Sequence, residues 1–236
     1  MSVGMSGSSL WWVCHRSRCG FKGRHDVYGN IGGTPLTTDD RRGRHREFSR
    51  ERLPKDVRLM LAERMHVSPG TIDDYRWSYT PDYAGHGRRV IFPIRGPDGL
   101  LRGEVFRSYW GATPKALTSR LVDAPEIGWN VVQKYPHTMV VVEDLPSAFK
   151  LGSNGMDSAA LLGANLSERS AREIRDAGYK KVVLCLDGDA SDSAIKQTIE
   201  LRKILPQLMV KLLGDTDIKD MQQPELDVFL DEIRRM

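Results

Sequence analysis

Two carboxylates one residue apart, Asp187 and Asp189, close an apolar run in the stretch KKVVLCLDGDASDSAIK. On an extended strand, residues i and i+2 project to the same side. Gly188 between them lets the backbone turn closely. Two further acidic groups follow apolar runs in the same way. Glu143 and Asp144 end TMVVVED, and Asp215, Asp217 and Asp220 lie in the loop after VKLL. If these runs are parallel neighbours in a sheet, the acids converge beyond the C-terminal strand ends, where such sheets hold their ligands. Clustered carboxylates repel unless a cation neutralises them. A hard divalent ion with oxygen ligands does so, and Mg²⁺ is the usual choice where phosphate is the substrate. Taken alone, the Asp187/Asp189 pair could equally be a strand end followed by a helix cap. Glu143 on a separate strand end favours the metal site.

The elements that must position these acids alternate along the back of the chain. Strands are expected at 138–144, 158–163, 180–187 and 208–213. Helices are expected at 146–152, after Ser167 as N-cap up to Gly178, at 190–205, and from Pro224 onward. This β-α-β-α order predicts an α/β fold with a mostly parallel sheet and helices on both faces. The strands read as continuous apolar runs, as strands covered on both sides do. Upstream, a helix is expected over 54–65 and a short one from Pro69. A hairpin is expected at 88–110 around Pro97-Asp98-Gly99.

The chain has 236 residues, 40% of them hydrophobic, and a net charge of +4. That charge is unevenly spread. Residues 1–60 carry 12 Lys/Arg against 6 Asp/Glu, and residues 139–236 carry 13 against 17. A basic front suits a polyanion and an acidic back suits cations, although a basic run can also be a plain solvated arm. No run of about 18 apolar residues exists, so no membrane partner is expected. The three cysteines, Cys14, Cys19 and Cys185, form no disulfide framework, and a reducing cytoplasmic compartment is expected. Four segments are expected: a small hairpin unit (1–30), a basic linker (31–52), a basic mixed α+β subdomain (53–137) and the parallel α/β unit (138–236).

The segments VVVEDLPSAFKLG, AALLGANLS, VVLCLDGDA and DIKD together resemble the Toprim domain of bacteriophage DNA primases over residues 138–223. The pattern is a strand ending in Glu, a later strand ending in D-x-D, and a further acidic loop. VIFPIRGPDGLLRGEVFRSYWGATPKALT is similar to the hairpin region ahead of that domain, with Arg102, Arg107 and Lys115 at its basic positions. WWVCHRSRCGFKG resembles the second half of a primase zinc ribbon, with Cys14 and Cys19 as candidate Zn²⁺ ligands. A structural zinc site needs four ligands, and none of the thirteen residues before Cys14 is Cys or His. The zinc-ribbon-like hairpin is therefore expected to be incomplete, with His15 and His25 as substitutes that nothing specific supports.

The resemblance implies synthesis of short RNA primers on a single-stranded DNA template by metal-dependent nucleotidyl transfer from NTPs. It makes Glu143, Asp187 and Asp189 catalytic, and the same three with Asp220 ligands of Mg²⁺ or Mn²⁺. Arg102, Arg107, Lys115 and Lys219 become candidates for nucleotide and template binding. Trp11, Trp12, Trp77, Tyr79, Tyr109 and Trp110 could stack bases or simply fill the core. No P-loop motif occurs, so unwinding is expected to fall to a separate replicative helicase. The setting is cytoplasmic, the host cytoplasm if the protein is viral. Alternatives are a Toprim nuclease that hydrolyses phosphodiesters and a non-catalytic nucleic-acid-binding regulator.

Overall fold

The structure is a computed structural model that describes residues 2–6, 9–13, 22–26, 50–83, 85–120, 126–132, 137–162, 165–187, 196, 198–214 and 216–236. The chain divides into two compact units, Met1–Phe48 and Ser49–Met236. In the first, strands β1 (Ser2–Ser6), β2 (Ser9–Val13) and β3 (Lys22–Asp26) form an antiparallel sheet in the order β1-β2-β3. Cys14 and Cys19, the candidate zinc ligands, lie outside the described residues.

The second unit opens with β4 (Glu51–Arg52), α1 (Lys55–Arg64), α2 (Pro69–Asp74) and β5 (Ser78–Thr80). The hairpin β6 (Arg89–Arg95) and β7 (Leu101–Arg107) follows, then β8 (Ala116–Arg120). These five strands make an antiparallel sheet in chain order. The hairpin closes on Gly99, whose φ of 74° lies in the left-handed region that glycine enters at little cost. Trp77 and Tyr79 are buried. Trp77 packs edge-on against Phe92 with ring centroids 4.5 Å apart, so this aromatic pair belongs to the core.

The second sheet is built from β9 (Ile127–Asn130), β10 (Thr138–Val142), β11 (Ser158–Leu161), β12 (Lys181–Leu186) and β13 (Gln207–Leu212). Its order is β13-β12-β10-β11-β9, with parallel pairing throughout except for β9. That strand lies ahead of residue 138, where the sequence places the start of the parallel unit. Four residues with a glycine among them carry too little pattern to read as a strand, and only pairing with β11 defines one.

Alternate residues of the parallel strands feed two cores. Val140, Val142, Val183 and Cys185 face one, together with Leu151 of α3 (Leu145–Ser153) and Leu226, Phe229 and Leu230 of α5 (Gln223–Arg235). Met139, Val141, Val182, Leu184 and Leu186 face the other, with Ala171 and Ile174 of α4 (Glu168–Asp176). Helices thus cover both faces, which is why residues 139–142 and 182–186 run apolar without alternation. Each buried Val or Leu adds roughly 1.5–3 kcal/mol of hydrophobic stabilisation. Ser167 caps α4 by accepting from the Ser170 amide, and Gly178 ends that region at a φ of 93°. Of the helix expected over 190–205, residues 198–200 are helical and lead into a 3₁₀ turn at Leu201–Lys203.

Candidate active site

β10 and β12 are parallel neighbours in a register that pairs Val141 with Leu184. Each strand therefore delivers its first acid to the same sheet edge. The Asp187 amide donates to Glu143 Oε1 at 3.2 Å, across 44 residues of sequence. Glu143 is exposed and Asp187 half-buried, so both are within reach of a ligand. Asp189 and Asp215 lie outside the described residues.

A second group of charges stands beside this pair. Asp144 caps α3 by accepting from the Ser147 amide at 3.0 Å. Its other carboxylate oxygen accepts from Arg107 Nη1 at 2.7 Å and lies 3.6 Å from the Lys219 ammonium. Burial pushes the Asp144 carboxyl up, but Arg107, Lys219 and the Ser147 amide outweigh it and hold the group below its ordinary value. Lys219 belongs to the 3₁₀ turn Ile218–Asp220. It also pairs with Asp217, and with Asp220 at 3.5 Å. The Arg107 guanidinium sits 5.7 Å from the Tyr109 ring centroid, and that of Arg64 lies 5.5 Å from the same centroid.

The candidates from the sequence are thus divided by the fold. The Glu143 carboxylate meets the backbone amide of Asp187. Asp220 stands in the adjoining cluster, held by Lys219 together with Asp144 and Asp217. Arg107 is engaged by Asp144. Arg102 lies towards the hairpin turn and pairs with Asp98, both half-exposed. Lys115 is exposed, and its carbonyl accepts from the Ser108 amide at 2.8 Å. That loop is further pinned by Arg89, a fully buried guanidinium donating to the carbonyls of Pro114 and Phe106 at 3.0 and 3.3 Å. Trp110 carries Arg88 over its ring at 4.3 Å. Among the described residues, no three His, Cys, Asp or Glu side chains come together as a group able to hold a metal ion.

One functional candidate escaped the sequence. Lys150 is fully buried in α3, which is covered at every position from Leu145 to Gly152. The signal was present as the one charged residue of a helix that is apolar but for Ser147 and Ser153. A helix that is apolar all round is a buried one, and a buried lysine needs partners.

No protein-family model matches the chain, and no curated protein matches it. Solved structures do match. The DnaG primase catalytic domain bound to ssDNA superposes with a TM-score of 0.60 at 20% identity, over 75% of this chain and 70% of that one. The zinc-binding and RNA polymerase domains of the Aquifex aeolicus primase give 0.61 at 19%, over 77% and 56%. The RNA polymerase domain of Mycobacterium tuberculosis primase DnaG in complex with double-stranded DNA gives 0.62 at 16%, over 77% and 73%. The chain therefore has the mixed α/β fold of the DnaG-type primase catalytic domains.

Proposed function

We propose that this chain is a DNA primase of the Toprim type, akin to those of bacteriophages, which joins ribonucleotides into short primers on single-stranded DNA. The observation that carries this is the junction of Glu143 and Asp187 at the ends of two neighbouring parallel strands, within a fold whose solved neighbours are primase domains. A fold supports many activities, so the weight rests on this site.

The carboxylate oxygens of Glu143 and Asp187 are the hard donors that Mg²⁺ or Mn²⁺ takes. Asp189 and Asp220 complete the proposed set. When bound, such an ion supplies charge stabilisation to the attacking and leaving oxygens of phosphoryl transfer. The chain's own residues do the remaining work. The Asp187 amide fixes the Glu143 carboxylate, which would either help hold the ion or take the proton of the attacking hydroxyl. Arg102, beside the hairpin turn, and the exposed Lys115 offer charge to the triphosphate and the template backbone. Lys219 balances the acids next to the site. The Arg-rich front would hold template phosphates, so binding should weaken steeply with salt. Cys14 and Cys19 are proposed as part of a zinc site, which metal analysis of the purified chain would establish. A separate helicase would supply single strands, in the cytoplasm. No helix among the described residues is long and apolar enough to cross a membrane.

The test is incubation with single-stranded DNA, labelled NTPs and Mg²⁺ or Mn²⁺. Short RNA products that vanish in Asp187→Ala and Glu143→Gln are the expected result. Cleaved DNA without NTP incorporation would instead make the chain a nuclease. Salt-sensitive binding with neither activity would make it a regulator.

A further inference from the structure

The acidic turn Ile218–Asp220 is held from below by a cation that takes no part in the ion-pair cluster above it. Lys150 Nζ donates to the carbonyl of Lys219 at 3.2 Å and to that of Met221. These two carbonyls flank Asp220. The Asp220 and Met221 amides are used locally, both donating to the Asp217 carbonyl, at 2.8 and 3.1 Å. The carbonyls at its end are the groups a 3₁₀ turn leaves without a partner of its own. A cation at a helical C-terminus suits them by charge as well as by hydrogen bonding. Ile218 and Met221 are buried and fix the depth of the turn. Apolar contacts are not directional, however, and do not set where the Asp220 carboxylate points. A methionine or leucine would fill the Lys150 position in so apolar a helix, so the ammonium answers a polar need.

We propose that Lys150 is the positioning residue of the acidic turn, bonding the Lys219 and Met221 carbonyls so that Asp220 and Lys219 stand in register with Glu143 and Asp144. The link is mechanical as well as local. Asp144, the N-cap of α3, directly follows Glu143, and the interior lysine of that helix grips the turn that carries Asp220. The strand end, the helix and the turn then move as one body. The part of this inference that concerns primer synthesis rests on the function proposed above, and the part that concerns the turn does not.

The experiment uses the full chain with Lys150→Met, which keeps length and apolar bulk and removes the donors. Amide hydrogen exchange at residues 218–221 is expected to speed up roughly tenfold or more beyond any change in the β12 amides, which report the change in global stability. In primer synthesis, kcat is expected to fall by about tenfold or more with template affinity unchanged within about twofold. Placed in an Asp220→Asn background, Lys150→Met should cause no further loss, since a residue acting through Asp220 has nothing left to position. Unchanged exchange in the turn overturns the proposal. So does an activity loss additive with Asp220→Asn, or one matched by Ile174→Ala, a core substitution on the far face of the sheet. If wild type makes no primers, the functional reading falls alone, and the exchange result still decides the role of Lys150. If Lys150→Met does not fold, wild-type exchange carries the test. Residues 218–221 must then open together with α3, and a turn exchanging more than about tenfold faster than α3 overturns the proposal.

Discussion

Arg107 and Asp144 join the end of β7 in the hairpin sheet to the start of α3 beside Glu143, and their coupling can be measured. The pair is 2.7 Å apart, with 14% of the Arg107 side chain and 24% of the Asp144 side chain exposed. At an effective dielectric of 20 the gross attraction is about 6 kcal/mol. Desolvation of both groups removes most of it. An exposed pair retains about 0–1 kcal/mol, whereas stripping one partner from a fully buried pair costs about 3–5 kcal/mol. This pair lies between those limits, and Asp144 keeps Lys219 and the Ser147 amide when Arg107 is removed. A coupling of about 1.5 kcal/mol is therefore expected from the cycle Arg107→Met, Asp144→Asn and the double variant. Asparagine is chosen because it still caps α3, so that only the charge is lost. The assay is equilibrium urea unfolding at neutral pH. The Asp144 carboxyl is held below its ordinary value, so its stabilisation is complete above that value and disappears as pH falls through the depressed one. The coupling should accordingly vanish in acid. Additive single effects, within about 0.5 kcal/mol, would refute the reasoning. The same variants test whether Arg107 also grips template. Were its guanidinium bound to a template phosphate, Arg107→Met would lower the salt slope of DNA binding by about one. Its engagement by Asp144 predicts an unchanged slope.

Burial pulls the Lys150 ammonium from 10.5 down to about 8, against the attraction of Asp220 and Glu225. Between those values the unfolded chain binds more protons than the native one, so stability rises with pH. Wild type should gain on Lys150→Met by about 3 kcal/mol across that window, and a difference in urea midpoints that stays flat with pH would contradict this. Cys185 is fully buried on β12 and its thiol is pushed up to about 12 by burial, so alkylation with peptide mapping at mildly alkaline pH should modify it only in denaturant. Ser167→Ala removes the α4 cap and should cost about 1 kcal/mol, read as a lower denaturant midpoint with unchanged slope.

The acidic strand ends were legible because each follows a run of apolar β-formers, and a run covered on both faces has to end where the sheet meets solvent. Thr138–Val142 and Lys181–Leu186 are such runs, and the acid that follows each is visible without a structure. The hairpin at Gly99 and the Ser167 cap were legible for an equally local reason, since turn and cap chemistry depend on a few adjacent residues. β9 was not, because four residues declare themselves a strand only through a partner.

What the sequence by itself determined is therefore local: where the chain extends, where it turns, where it coils, and which acids end which strands. The tertiary structure decided everything that depends on distance between residues far apart in the chain. The parallel register of β10 and β12 brings the Asp187 amide onto Glu143. The same packing engages Arg107 with Asp144 and surrounds Lys219 with Asp144, Asp217 and Asp220. In the sequence those two residues are merely basic, with nothing to separate a charge offered to a ligand from a charge spent inside the protein. The difference is physical. A cation's partner is whichever anion the fold places within a few ångströms, and only the folded chain fixes that distance.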